Sequence, residues 1–588
     1  MSYIKRFIYL TTLILTFGCS EQAVEVDNTD QPKLAERILF NAKIYSLSWP
    51  EPALDGTPSS AAPYTDQQWT PDAQAIAIVD GKILALGSDK NIMLLKNPDT
   101  ELIDMNGATI IPGLVDSHTH IIELGKLLHI VNITDARDPQ HAIEMVKEFA
   151  KDIPQGEWVI GQGWDEGAWA NNYPNRQMLD EVFPNNPVFL RSLHSFAIWV
   201  NSKAMEVAVI NKSTEAPVGG EIVRTDAGEP TGIFLNRATT MFESVLPKPN
   251  IDTYKQYIRD AMLKMAEDGF VSVHEAGVNG LMMEALQALR KEDKLPLRMY
   301  AMLSSRDFLL SKQWIKTGPV QDKDGFLDVV SVKAFYDGAL GSRGARLLED
   351  YSDKEGHKGV SGDDYGFDKD IVDELIKAGF QIGIHAIGDA GNREVLAYFA
   401  DHIKADPNVR TKRHRIEHAQ VVHPDDFKYF KQLGVIASLE PPHAVEDKTW
   451  AEQRLGPERI KNAYAWRTFR NNNVKLTFNS DLPGSDHGIF YGLHAAVTRQ
   501  DKDSEPEGGW YPEQIVTIEE AIRGYTQWAA YAGFRENQTG VLKPGNWADI
   551  TVFDIDPFQL ATTNPKQLFE GKVLMTMVNG EVVYQRKK

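Results

Sequence analysis

The chain has 588 residues, ordinary apolar (42%) and charged (24%) fractions, and a formal net charge of -20. That length suits roughly two to four domains, while the acidity excludes the basic face that a nucleic-acid partner needs. A single cysteine, Cys19, leaves no internal disulfide and no cysteine nucleophile in the body of the protein.

In chain order, Lys5 and Arg6 open a short basic start, and FIYLTTLILTF is an apolar run too short to cross a bilayer comfortably. Gly18-Cys19 follows, and the whole resembles a bacterial lipoprotein signal, although Thr16 and Phe17 depart from its usual residues. The resemblance implies a signal over 1–18, lipidation of Cys19, export to the periplasm or cell envelope, and membrane attachment by acyl chains alone. An ordinary secretory signal is the alternative. Residues 19–36 read as a flexible tether.

Residues 37–108 are β-rich, with Asp80-Gly81 as a hairpin turn, and 536–588 answer in kind around Asn579-Gly580. Both ends are expected to meet in one β-sandwich. Between them, 109–535 alternates strand and helix patterns, the signature of parallel βα units. The run IIPGLVDSHTH ends the first strand in His118 and His120; side chains two apart on a strand share a face, so both imidazoles can reach one point. Alone, such a pair is more often solvated or hydrogen-bonded than metal-binding.

An insertion spans about 123–269, with a helix over 139–151 and short strands at EWVIGQG and PVFLRSLH. Helices at 252–268, 281–292 and 370–378 then separate apolar strands FVSVHEAG, LRMYAML, VVSVKAFYDG, FQIGIHAIGD, HRIEHAQ, GVIASLEPP and VKLTFNSDLPG. With the first strand that makes eight, the count of an α/β (β/α)8 TIM barrel, whose chemistry gathers at the C-terminal strand ends. There lie His118, His120, Lys333, His385, His418 and Asp481.

PGLVDSHTH, VKAFYDGALGSRGA, HAIGDAG, HRIEHAQ, FNSDLPG and KPGNWADITVFD together resemble the metal-dependent amidohydrolase superfamily, in its amidohydrolase-3 branch, which includes N-substituted formamide deformylases. The resemblance runs from about Arg37 to the end. It implies divalent-metal ligation, most simply one or two Zn2+ ions, by His118, His120, His385, His418 and Asp481, with Lys333 bridging as N6-carboxylysine. An uncarboxylated lysine leaves a single-metal site. The implied reaction is hydrolysis of a non-peptide C–N bond in a small molecule by metal-activated water, with Asp481 as general base and then acid.

Substrate contacts are expected from the insertion and the loop after strand four: Trp164, Asp165, His194 and Arg343, with Trp169 and Trp199 able to wall an apolar pocket. Tryptophans packing the insertion's own core are the plainer alternative. His274 and Asp389 are expected behind the ligands. Two other classes stand against the hydrolase. One is an exported ligand-binding lipoprotein without turnover. The other is a glycosidase built on two of Glu275, Asp337 and Glu440, which would leave the four histidines unused.

Overall fold

The computed structural model describes residues 33–164, 169, 173–192 and 197–587. Cys19 and the signal expected before it, Asp165 and His194 lie outside the described residues.

The centre is a sheet of eight parallel strands in sequential order: β1 (Leu114–Thr119), β2 (Phe270–Val278), β3 (Arg298–Ser304), β4 (Leu327–Phe335), β5 (Gln381–Ala386), β6 (Arg415–His418), β7 (Ile436–Leu439) and β8 (Leu476–Phe478). These strands are mostly buried on both faces because helices cover the outside and packed side chains fill the lumen. β8 returns to β1 without a full ladder. The Ser117 hydroxyl donates to Phe478 O (2.9 Å), Asp481 N to His118 O (3.0 Å) and His120 N to Leu482 O (3.0 Å). The barrel is thus nearly closed, and the seam itself carries three of the residues singled out above.

Asparagine or aspartate sets the start of several barrel helices. Asn250, Asn279, Asp307 and Asp368 each accept a hydrogen bond from the backbone amide three residues on, which satisfies one of the free N–H groups of a helix start. Three of the helices they open, Ile251–Glu267, Gly280–Lys291 and Lys369–Lys377, begin and end within a residue of the predicted ranges, and the fourth, Phe308–Thr317 after Asp307, has no predicted range.

Between β1 and β2 the chain forms a separate six-stranded mixed sheet, Val131–Asn132 to Pro230–Asn236, flanked by helix Pro139–Phe149. At the ends of the chain, Arg37–Phe40, Ala75–Val79, Lys82–Gly87 and Glu101–Asp104 make a four-stranded sheet. A five-stranded sheet joins Lys43–Ile44 and Thr109–Pro112 to Ile550–Phe553, Val573–Val578 and Glu581–Gln585. Leu39, Ile76 and Ile78 of the first sheet share one apolar cluster with Ile110, Ile550, Val552 and Met577 of the second. Asp80-Gly81 and Asn579-Gly580 both adopt positive φ at the two turn positions, as a tight hairpin requires. Arg298 at the foot of β3 fixes the barrel to this sheet: its guanidinium donates to both Asp549 oxygens (2.8 and 2.9 Å) and lies over Trp547. Among the described residues no helix is long and apolar enough to cross a membrane.

Candidate metal centre

The six strand-end residues converge at one mouth. His118 Nε2 and His120 Nε2 lie 3.4 and 3.1 Å from the same Asp481 oxygen, Oδ1, and the Lys333 amine is 2.8 Å from His118 Nε2. The His385 and His418 rings meet edge to face at 4.5 Å, and His418 is 5.2 Å from His118. His120, Lys333, His385, His418 and Asp481 line a cavity of about 420 Å³, closed on its other sides by Phe335, Leu340, His443, Asp447 and Trp450.

Local backbone geometry makes the convergence possible. His118 points inward from β1, and His120 follows immediately as the residue before helix Ile121–Leu128. On β6, Arg415 and Glu417 share the lumen face by alternation; His418 then takes a left-handed φ of 72°, which turns its side chain to the mouth beside them. Asp481 also has a positive φ (51°) at the turn after β8.

Behind the donors stands a set of buried acids. Glu417 accepts from His118 Nδ1 (2.7 Å) and faces Arg415, whose guanidinium reaches both of its oxygens (2.8 and 2.9 Å). That bond fixes the His118 tautomer and leaves Nε2 free to bind. Asp116 accepts from the Ser480 hydroxyl (2.6 Å) and so ties β1 to the Asp481 turn. Asp337 accepts three backbone amides, from Arg346, Ile387 and Gly388, and its Oδ1 lies 3.7 Å from His385 Nε2. Glu275 accepts from Ile121 N, and Glu440 faces His418. Each acid considered for a glycosidase is therefore engaged in holding a loop or an imidazole.

Electrostatics at the mouth favour neutral His118 and His385 and one anion, while, against the effect of burial, Glu440 and Asp481 raise His418. Burial, and then Lys333, pushes His118 down to about 4; burial, with His418 and Lys333, holds His385 well below the ordinary histidine range. Burial opposes ionisation of Asp481, yet the facing His118 and His120 keep its carboxyl well below the usual range. Burial also lowers Lys333 against the pull of Glu417 and Asp481. Neutral imidazoles and a carboxylate are the donors that a zinc-like cation takes.

The donor set fits a cation on two further counts. Donors ~2 Å from one tetrahedral ion stand ~3.3 Å apart, which is the spacing of Asp481 Oδ1 from the two histidines. His385 Nε2 is buried with no hydrogen-bond partner, a costly state for a polar atom with nothing to bind.

The other expected residues are placed elsewhere. Trp164 is fully buried in the insertion's core, its indole N–H donating to Leu190 O (2.9 Å), with Trp169 stacked on it and Trp199 edge-on to Trp169. Its ring is held by that core and not by the cavity wall. Arg343 is paired with Asp353 (2.7 and 3.0 Å) in an outer loop. Asp389 accepts from Leu348 N and Ala390 N and anchors a loop. His274 sits deeper in the lumen, accepting from Arg415 (3.1 Å); it reaches His118 only through Arg415 and Glu417. Glu417, Glu440 and His443 were not singled out as supports or ligands from the sequence. Glu417 was findable, since it stands one residue before a candidate ligand in an apolar strand.

A parallel barrel whose strand ends gather imidazoles and a carboxylate around one cavity defines a protein that can hold a divalent cation over a small-molecule pocket. The amidohydrolase family model matches residues 101–584, and the chain belongs to the amidohydrolase family. It is 28% identical over 525 residues to the putative amidohydrolase YtcJ of Bacillus subtilis, covering 87% of this chain and 96% of that protein. It is 27% identical over 538 residues to the N-substituted formamide deformylase of Arthrobacter pascens, covering 87% and 95%. Its fold is similar to that of an uncharacterized metal-dependent hydrolase from Pyrococcus furiosus, with a TM-score of 0.69 at 25% identity, covering 89% of this chain and 99% of that one. The family resemblance read from the motifs holds, and the barrel agrees with it.

Proposed function

We propose that the protein hydrolyses a non-peptide C–N bond, of amide or N-substituted formamide type, in a small molecule. The observation that carries this reading is the approach of one Asp481 oxygen to both His118 Nε2 and His120 Nε2 at the cavity floor. His118, His120, His385, His418 and Asp481, with Lys333 beside them, would hold one or two divalent ions, Zn2+ by donor type. When bound, such an ion lowers the pKa of a water to about 7 and polarises a carbonyl.

The chain's own groups do the rest. Asp481 stays anionic at neutral pH, so it can take a proton from a water at the cavity floor and pass it to the departing nitrogen. Glu417 and Arg415 keep His118 in one tautomer. Burial shifts Lys333 toward its neutral amine, the form that adds carbon dioxide to become a carbamate. Phe335, Leu340 and Trp450 supply an apolar wall for the substrate's substituent.

The remaining readings rest on the sequence argument. The two terminal sheets, sharing one apolar cluster, are read as a composite β-sandwich of 37–108 and 536–588 around the 109–535 barrel. The insertion of about 123–269 supplies the cover, with His194 and Asp165 assigned to substrate contact. Cys19 is assigned as a lipidated anchor of an exported protein.

The test is a screen of simple amides, N-substituted formamides and glycosides, run with and without chelator on wild type and Asp481→Asn. Amide or formamide hydrolysis that chelation abolishes and zinc restores is expected, with loss of at least ~10²-fold in Asp481→Asn. Full turnover by the chelated enzyme, or by Asp481→Asn, would overturn the mechanism.

A further inference from the structure

A second set of donors lies in the wall of the same cavity, and two of its members, Glu440 and His443, have no ligand role above. Glu440 is the residue before helix Pro441–Asp447, and His443 sits three residues on. Glu440 Oε2 is 3.3 Å from His418 Nδ1 and 3.7 Å from His443 Nδ1. We propose that His418, Glu440 and His443 form a further divalent-cation site beside the His118–His120–Asp481 centre. This rests on reading the cavity as a metal centre; Glu440 and His443 are ligands that centre does not use, and His418 is shared with it.

Four observations support it. The three side chains can each bring a ligand atom within 4.8 Å of the other two, as His118, His120 and Asp481 also can. The two measured separations are longer than a good N–H···O hydrogen bond and near the ~3.3 Å between donors sharing a tetrahedral ion. His418 Nδ1 and Glu440 Oε1 are buried with no hydrogen-bond partner, in residues only 5% and 4% exposed. A buried carboxylate and imidazole left half-satisfied in this way are costly unless something binds between them.

The fourth observation is the local sequence. A carboxylate before a helix normally turns back to accept from the first free amides. Here the first two helical residues are Pro441 and Pro442, which have no N–H, and the Glu440 side chain makes no capping bond. It is released from the helix and faces His418.

Two histidines and one glutamate are a recurrent catalytic zinc set, which leaves a further position for water or substrate. His443, Gln420, Glu446 and Asp447 line the cavity on this side. The open position therefore faces substrate. The site would take a borderline cation such as Zn2+ or Co2+ and present it to an oxygen of the substrate or to water.

The experiment counts zinc. Wild type, His443→Ala, Glu440→Gln, His443→Cys and His120→Ala are saturated with zinc, desalted and analysed by plasma mass spectrometry, with the cobalt-substituted forms examined by visible spectroscopy. Against wild type, His443→Ala and Glu440→Gln should each lose one ion per chain and one cobalt absorption band. His443→Cys, which exchanges one zinc ligand for another, should keep it. His120→Ala should lose an ion whose loss adds to that in His443→Ala when the two are combined. An unchanged zinc count in His443→Ala would overturn the site, leaving Glu440 as a group that merely orients His418. A wild type that holds no zinc or cobalt would overturn the metal reading of the whole cavity as well.

Discussion

Glu417→Gln separates what the buried acid does for the fold from what it does for the ligand in front of it. Glu417 and Arg415 are both fully buried, 2.8 and 2.9 Å apart at two contacts, and Glu417 also accepts from His118 Nδ1 at 2.7 Å. Burial alone would raise the Glu417 carboxyl, but Arg415 and His118 hold it well below the ordinary range, so the substitution removes a full charge. Arg415 keeps Ser117 O, the Ser438 hydroxyl and His274 Nδ1 as partners but loses its counter-ion. Stranding one member of a buried pair costs about 3–5 kcal/mol. Loss of the group that orients a ligating imidazole lowers metal affinity about 10–100-fold. The assay is chemical denaturation in chelator together with zinc competition titration of the folded variant. Arg415→Met/Glu417→Gln should recover most of the stability, since no buried guanidinium is then left without its counter-ion, without recovering zinc affinity. Stability within about 1 kcal/mol of wild type in Glu417→Gln, or unchanged zinc affinity, would refute the reasoning.

Three further outcomes are expected. Asp549→Asn breaks a buried ion pair with Arg298 and weakens the bonds from Asn579 N and Thr539, so thermal unfolding should fall by about 3–5 kcal/mol, and proteolysis should release the C-terminal sheet first. Gly388→Ala drives a Cβ into Arg346 O in the loop that Asp337 secures beside His385, so it should cost about 1–3 kcal/mol and weaken zinc binding; wild-type values on denaturation and titration would contradict it. His414 is held at about 3 by burial, with His402 and Lys412 adding to it, and its Nδ1 accepts from Ile382 N (3.0 Å). Its unfolded pKa is ~6.5, so the unfolded chain takes the proton first as pH falls. Its contribution is complete above pH ~6.5 and is lost toward pH 3 at about 1.4 kcal/mol per unit. Denaturation of His414→Gln at pH 7, 5 and 4 should therefore show a shallower acid loss than wild type by about one proton.

What the sequence showed, and what it hid, follows from how each residue is placed. His118, Lys333, His385 and Asp481 were legible because each ends an apolar run, and a barrel strand has one functional end. The partners of these residues were not, for two physical reasons. Strand alternation sends neighbouring residues to opposite faces, so Glu417 and His418 should not both serve one mouth. They do so because His418 and Ala419 take positive φ (72° and 39°), a feature no periodicity reports. Glu440 and His443 lie past the end of β7, where Pro441-Pro442 reads as a stop. Read chemically, the same prolines strip the helix start of amides and free a carboxylate.

Trp164 shows the converse: an aromatic beside Asp165 in a glycine-rich loop looks like a pocket wall, but its N–H found Leu190 O and its ring found the insertion's core. A large apolar ring goes where it buries most area, and an insertion with its own sheet offers that within itself. The barrel's ligands had no such local option. Their strands are too short and too buried to satisfy an imidazole or a carboxylate among themselves, so those groups could only face the mouth together. That is why the residues hardest to bury were the most readable, and why the supports that make burying them tolerable were the least.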